Sequence, residues 1–270
     1  MQEIKFTPVT TEYKGNMYTI PLPVFDVNLQ YQDRAYDFSM YLDTGSNGTM
    51  LFPFSANLVN PGFVTEDKLP FIDVTLNRFG TATIAQPKRI RLDYDARLGE
   101  SFEKPIVAGI IGTDFLKQYA LHINYAQSSF FLLPAGTPAL PLTCRYVFEN
   151  NFLFLYASLL GARLKLLFDT GCGGGMLLFE KGFSKVQGHT LKPGSREYAQ
   201  GAFGATYYYD SYDEEVVFDF GSELMFKTGF GVQQKHPVSD TLDCDGILGN
   251  QLFSDRQIII DYPAQVFSFV

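Results

Sequence analysis

The sequence predicts a mostly β protein built from two like units, and three observations carry that reading. Short runs rich in Val, Ile, Tyr and Phe, bounded by Gly, Pro, Asn and Asp, recur along the chain, whereas stretches with a 3.6-residue apolar period are few and short. Two segments, one in each half, match position by position. Between them, Pro134 to Pro141 carries three prolines in eight residues and reads as a linker, dividing the chain into units 1–137 and 138–270.

At 270 residues, with 46% apolar and 19% charged side chains, the chain has the size and composition to bury a large core. Aromatic residues reach 16%, as 26 Phe and 16 Tyr with no Trp, which suits half-buried pleated surfaces. The 21 Lys and Arg against 29 Asp and Glu leave a net charge of −8, and the longest basic stretch is Lys88-Arg89-Ile90-Arg91, so nucleic acid is excluded as an expected partner. The apolar run Phe152 to Leu160 soon meets Arg163 and Lys165, far short of the ~18 residues that span a bilayer, so no transmembrane helix is expected. Cys144, Cys172 and Cys244 are an odd number without metal-ligand spacing, which indicates neither a disulfide framework nor a zinc site and leaves one disulfide open. No basic segment followed by an apolar one opens the chain. The compartment stays open: secreted or periplasmic if a signal peptide was removed, cytoplasmic otherwise.

The matching segments run Phe38-Ser39-Met40-Tyr41-Leu42-Asp43-Thr44-Gly45-Ser46 and Leu164-Lys165-Leu166-Leu167-Phe168-Asp169-Thr170-Gly171-Cys172. Apolar residues fall five, three and one positions before each Asp, a period of two that describes a strand with one buried face and delivers Asp at its end. In both copies Gly recurs five residues after the Asp and Met seven after. Gly109-Ile110-Ile111-Gly112 then follows in the first half and Gly246-Ile247-Leu248-Gly249 in the second. Eleven residues past the last Gly of each comes Ile123-Asn124-Tyr125 or Ile260-Asp261-Tyr262, and each leads into an apolar strand.

A given tripeptide arises by chance on the order of once in several thousand positions. Two Asp-Thr-Gly copies in matched flanks imply a two-fold relation that brings Asp43 and Asp169 together. Two carboxylates within hydrogen-bond reach cannot both ionise easily, so the pair shares a proton and supplies an acid and a base. Gly45 and Gly171 allow the backbone to turn tightly behind each carboxylate. Thr44 and Thr170 are placed to bond backbone groups of the opposite half and hold the spacing.

In these motifs the chain resembles the pepsin and retropepsin superfamily of aspartic proteases, in its single-chain, two-lobed form. The resemblance rests on both Asp-Thr-Gly motifs and on Ile110-Ile111-Gly112 and Ile247-Leu248-Gly249, and it covers nearly the whole chain. It implies two homologous closed β-barrel lobes with an active site in the cleft between them. It also implies a water activated between Asp43 and Asp169 that attacks a peptide bond directly, a peptide or protein substrate, and a mechanism needing no metal or organic cofactor. A monomer is expected. Ser46 follows the family's common form, with a hydroxyl that would bond the outer oxygen of Asp43, whereas the second copy has Cys172, a weaker donor.

Family members close a β-hairpin flap over the substrate. Phe79-Gly80 and Phe203-Gly204 lie between the two motifs of their halves and are the candidate flap tips, with an ordinary hairpin turn as the equal alternative. Tyr207-Tyr208-Tyr209 reads first as a strand. Gly171 to Gly175 lacks the ending of a phosphate loop, no Gly-x-Ser-x-Gly occurs, and His122, His189 and His236 show no ligand spacing. Asp114 is expected to orient local backbone. Because folds are reused without their chemistry, a catalytically silent, protease-like binding or inhibitory module is the competing expectation.

Overall fold

The alternation in the sequence becomes strands with one face inward. In β4 (Arg34–Leu42) the side chains of Phe38, Met40 and Leu42 are buried, and in β6 (Phe71–Phe79) those of Ile72, Val74 and Leu76. A computed structural model describes residues 2–13, 16–63, 69–96, 106–186, 194–200, 206–219, 225–233, 239 and 241–270. It is mostly β, with short helical pieces such as α1 (Pro53–Val59), α2 (Thr113–Leu116) and α3 (Glu180–Val186).

The first half contains β3 (Asn16–Tyr31), β4, β5 (Met50–Leu51), β6, β7 (Ala82–Leu92) and β8 (Val107–Ile111), hydrogen-bonded in the order β3-β4-β8-β5-β7-β6. Strand β6 also pairs with β3, so the pairings return to their start. The second half repeats this order with β12 (Phe152–Leu159), β13 (Ala162–Asp169), β18 (Gly246–Gly249), β14 (Met176–Phe179), β17 (Met225–Gln233) and β16 (Thr206–Asp219), and β16 meets β12 at Ser158↔Asp219 and Leu159↔Phe218. The orientations repeat as well. Strands β4 and β8 are parallel, as are β13 and β18, and β5 and β14 are antiparallel to β8 and β18. The first half alone adds β2 (Thr7–Tyr13) as a hairpin with β3, and β15 (Arg196–Gln200) extends the second half beyond β16.

A third layer draws on both halves. It runs β1 (Ile4–Lys5), β10 (Ser129–Leu133), β9 (Ala120–Asn124), β19 (Gln257–Asp261), β20 (Val266–Phe269) and β11 (Leu142–Glu149). At its centre β9 and β19 are antiparallel, with Ile123 opposite Ile258 and Leu121 opposite Ile260. The stretch from Pro134 to Pro141 is neither helix nor strand, yet it is tied down: Gly136 N–H donates to Asp261 Oδ2 at 2.8 Å and Leu140 N–H to Ser268 Oγ at 3.0 Å.

Phenylalanines fill both interiors. Phe25 meets Phe130 at 4.8 Å and Phe79 at 5.3 Å between ring centroids, and Phe79 meets Phe115 at 5.2 Å. In the second half Phe168 meets Phe267 at 5.1 Å and Phe253 at 5.7 Å. Burial of each such ring contributes about 1.5–3 kcal/mol, which anchors the strands that carry the two Asp residues.

Candidate active site

Strands β4 and β13 end at the two loops, and β8 and β18 run beside them in parallel, Leu42 opposite Ile111 and Asp169 opposite Gly249. Asp43 N–H donates to Ile111 O at 3.0 Å, fixing the start of the first loop. Behind each carboxylate the chain turns back: Gly45 N–H donates to Asp43 Oδ1 at 2.8 Å and Gly171 N–H to Asp169 Oδ1 at 2.7 Å. The two turns face each other so closely that a Cβ on Gly45 would lie 2.3 Å from Asp169 Cγ, and one on Gly171 would lie 2.9 Å from Asp43 Cγ. Glycine is required at both places because the opposing carboxylate occupies the space of a side chain.

Beneath the carboxylates Thr44 and Thr170 tie the halves together. Thr170 Oγ1 accepts the Thr44 N–H at 3.0 Å and donates to Leu42 O at 2.7 Å, while Thr44 Oγ1 accepts the Thr170 N–H at 3.0 Å and donates to Phe168 O at 2.9 Å. Both threonines are buried, so these bonds have no competing water.

Asp43 is 8% exposed. Burial first, and the Asp169 charge second, push its carboxyl well above the usual range, against the Gly45 N–H and the Tyr41 hydroxyl, which favour the ion. Burial also raises Asp169, against hydrogen bonds from Asp43 and the nearby backbone N–H groups. Two raised carboxyls in contact titrate as one unit that gives up its protons in two steps.

The structure brings Asp43, Thr44, Gly45, Asp169, Thr170 and Gly171 together. Ser46 departs from expectation: its hydroxyl donates to Gly48 O at 2.8 Å, turned into its own loop. Burial, then the Asp169 charge, push the Cys172 thiol up to about 12, which keeps it neutral and unreactive. All three cysteines are free. Asp114 orients local backbone, accepting the Thr49 N–H and hydroxyl at 2.7 Å each and pairing with Lys88.

Phe79 and Gly80 do not cover the carboxylates. They form the tight β6–β7 turn, with Gly80 at φ +53° and its N–H bonded to Asp26 O at 2.6 Å, and Phe79 is packed in the core. Phe79 pairs with Val27, as does Phe38, which lies five residues before Asp43. At about 3.3 Å per residue that is ~16 Å from the carboxylates along β4. The ring is an aromatic core residue, so the turn is held down. Phe203 and Gly204 lie outside the described residues. Tyr207, Tyr208 and Tyr209 are in β16.

Three participants escaped the sequence reading. Tyr41, on the face of β4 opposite Met40 and Leu42, is 5% exposed, and its hydroxyl lies on the side of the Asp43 carboxylate, whose ionised form it favours. Strand alternation places it on the side of Asp43, which was the available signal. Asn250 stands where the first half has Thr113. Both backbone N–H groups donate at 3.0 Å, to Cys172 O and Ser46 O respectively, and both side chains bridge the halves: the Asn250 amide donates to Thr170 O at 2.9 Å and to Pro21 O at 2.8 Å, and the Thr113 hydroxyl bonds Ser46 O and Asn151 O. Ile20, on β3, lies over Gly173, where a Cβ would meet its Cγ2 at 1.9 Å. No sequence pattern marks that contact.

Among the described residues no helix is long and apolar enough to cross a membrane, and no group of three or more His, Cys, Asp or Glu is placed to hold a metal. No family model matches the sequence, and no curated protein does. Among solved structures the chain is similar to conglutin gamma, described as a unique basic 7S globulin from lupine seeds, with a TM-score of 0.50 at 9% identity over 99% of this chain and 94% of that one. The two proteins share a fold across nearly their whole lengths, and at that identity the likeness speaks to the fold alone.

Proposed function

We propose that this protein is an aspartic endopeptidase of the pepsin and retropepsin type. The observation that carries the reading is the reciprocal packing of Gly45 on Asp169 and Gly171 on Asp43, which holds the buried carboxyl of Asp43 and the half-buried one of Asp169 face to face. In this reading each ring of paired strands is a closed β-barrel lobe, the lobes are residues 1–137 and 138–270, and the substrate is a peptide or protein lying in the cleft between them.

The chemistry follows from the pair. With one proton between them, the ionised carboxylate takes a proton from a water held between the two, and that water attacks the scissile carbonyl carbon as the protonated partner donates to its oxygen. The resulting gem-diol collapses as a proton passes to the leaving nitrogen, so no bond forms between enzyme and substrate. The Thr44 and Thr170 lattice supports this role by fixing the carboxyl spacing before substrate arrives.

Cleavage of a diverse peptide mixture, followed by mass spectrometry from about pH 3 to 8, tests the proposal against Asp43→Asn and Asp169→Asn. Native protein is expected to cut and both variants to lose activity, and the cut sites then define specificity. Folded native protein that cuts nothing across this range would leave the binding-module reading in its place.

A further inference from the structure

Strand β3 is sixteen residues long, but only its part from Val24 onward pairs with β4. The preceding part, with β2, forms a hairpin that projects past the end of β4. Its base is anchored: Val9, Leu22 and Val24 are buried with Tyr41, Met50, Phe52 and Ile110. Further out, Ile20 is only partly buried and Met17 is 64% exposed. There the hairpin touches the second half, with Ile20 in the notch left by Gly173 and the Pro21 carbonyl accepting from Asn250. The same Asn250 amide donates to Thr170 O, so one side chain joins the hairpin to the loop that carries Asp169.

The hairpin is much longer than its counterpart. In the second half β11 and β12 form a hairpin that turns at Asn150 and Asn151, just past the end of β13, where the Asn151 carbonyl accepts from Thr113 Oγ1 of the first half, and β11 also pairs with β20 in the shared layer. An extended peptide laid across both carboxylates has to run past the loop that follows each Asp. On the second half that place, beside Gly173, is taken by Ile20.

We propose that the β2–β3 hairpin is a latch closed on the Gly173 loop, and that its outer part must lift from that loop before a peptide can lie across Asp43 and Asp169. The peptide part of this inference rests on the proposed protease function; the opening itself does not. An apolar knob in a glycine notch and one side-chain amide bonded to a backbone carbonyl are the kind of small contact set that releases locally while the anchored base stays folded.

The contact offers its own test. The Ile20 Cβ lies 3.4 Å from the position of a Cβ on Gly173, next to the range of about 3.5–4.5 Å found across disulfides. In the Ile20→Cys/Gly173→Cys protein, peptide mapping establishes that the bond joins positions 20 and 173 and not Cys172. Oxidation is expected to slow amide exchange in residues 17–22 at least tenfold relative to the reduced state, and to lower peptide cleavage at least tenfold, with reduction restoring both. Ile20→Ala, which empties the notch without a crosslink, is expected to speed exchange in the same segment. Equal exchange in the oxidised and reduced states would overturn the latch whether or not the protein cuts peptides, and so would unchanged cleavage with the bond in place. Absence of cleavage by native and reduced protein alike counts against the protease reading, and exchange then decides the latch alone.

Discussion

Thr44 and Thr170 each accept the other's backbone N–H at 3.0 Å, across 126 residues of chain. Each hydroxyl then donates to a carbonyl one strand away in the opposite half, at Phe168 and Leu42. Thr44→Val orphans the Thr170 N–H and the Phe168 carbonyl in a buried site. At about 1–3 kcal/mol per orphaned group, urea unfolding is expected to show a loss of about 2–6 kcal/mol, with Thr44→Ser recovering most of it.

Gly45→Ala places a Cβ 2.3 Å from Asp169 Cγ, whereas Gly171→Ala places one 2.9 Å from Asp43 Cγ. Both displace a reacting group, and displacement of order 1 Å costs roughly 10²-fold in rate. Peptide cleavage is therefore expected to fall by about that factor or more in each, further in Gly45→Ala, while circular dichroism stays native.

Burial and the Asp169 charge raise the Asp43 carboxyl, so the folded protein holds this proton more tightly than the unfolded chain does. Stability from this group is present below the ordinary Asp range and is lost as pH rises towards the folded value. Asp43→Asn, a permanently neutral stand-in, is expected to be more stable than native protein at pH 7, with the gap closing near pH 3. Denaturant unfolding at the two pH values checks the sign.

The Tyr41 hydroxyl favours the ionised Asp43, and Leu167 occupies the matching position before Asp169. In Tyr41→Phe the Asp43 carboxyl is expected to rise further, moving the alkaline limb of the cleavage profile upward in pH. Carboxyl carbon NMR, assigned with Asp43→Asn, reads the same shift without requiring turnover.

Ser46→Ala is expected to leave that profile in place, because the Ser46 hydroxyl is committed to Gly48 O and not to Asp43. A shift as large as that in Tyr41→Phe would show that the hydroxyl turns to the carboxylate in solution.

Much of this was legible in the chain. A period of two before each Asp described β4 and β13, the Gly after each Thr marked the tight turn, and the matched apolar-apolar-Gly segments became β8 and β18 beside them. Repetition carries such information because the same local pattern, folded twice, places the same atoms on both sides of an approximate two-fold axis. The turn at Phe79-Gly80, a flap tip or an ordinary hairpin turn by sequence, stayed open for the opposite reason. Its residues suit any tight hairpin, and only the pairing of Phe79 with Val27 shows which end of the ring it occupies.

By itself the sequence determined the β class, the duplication and the two Asp-bearing loops, because those depend on residue periodicity and on neighbours a few positions away. Tertiary structure alone decided that the Ser46 hydroxyl turns inward to its own loop, that Tyr41 reaches Asp43, and that Ile20 settles on Gly173 with Asn250 holding Pro21. Ile20 and Gly173 meet across 153 residues of chain. A contact of that kind depends on how two separately folded surfaces meet, which no local pattern encodes.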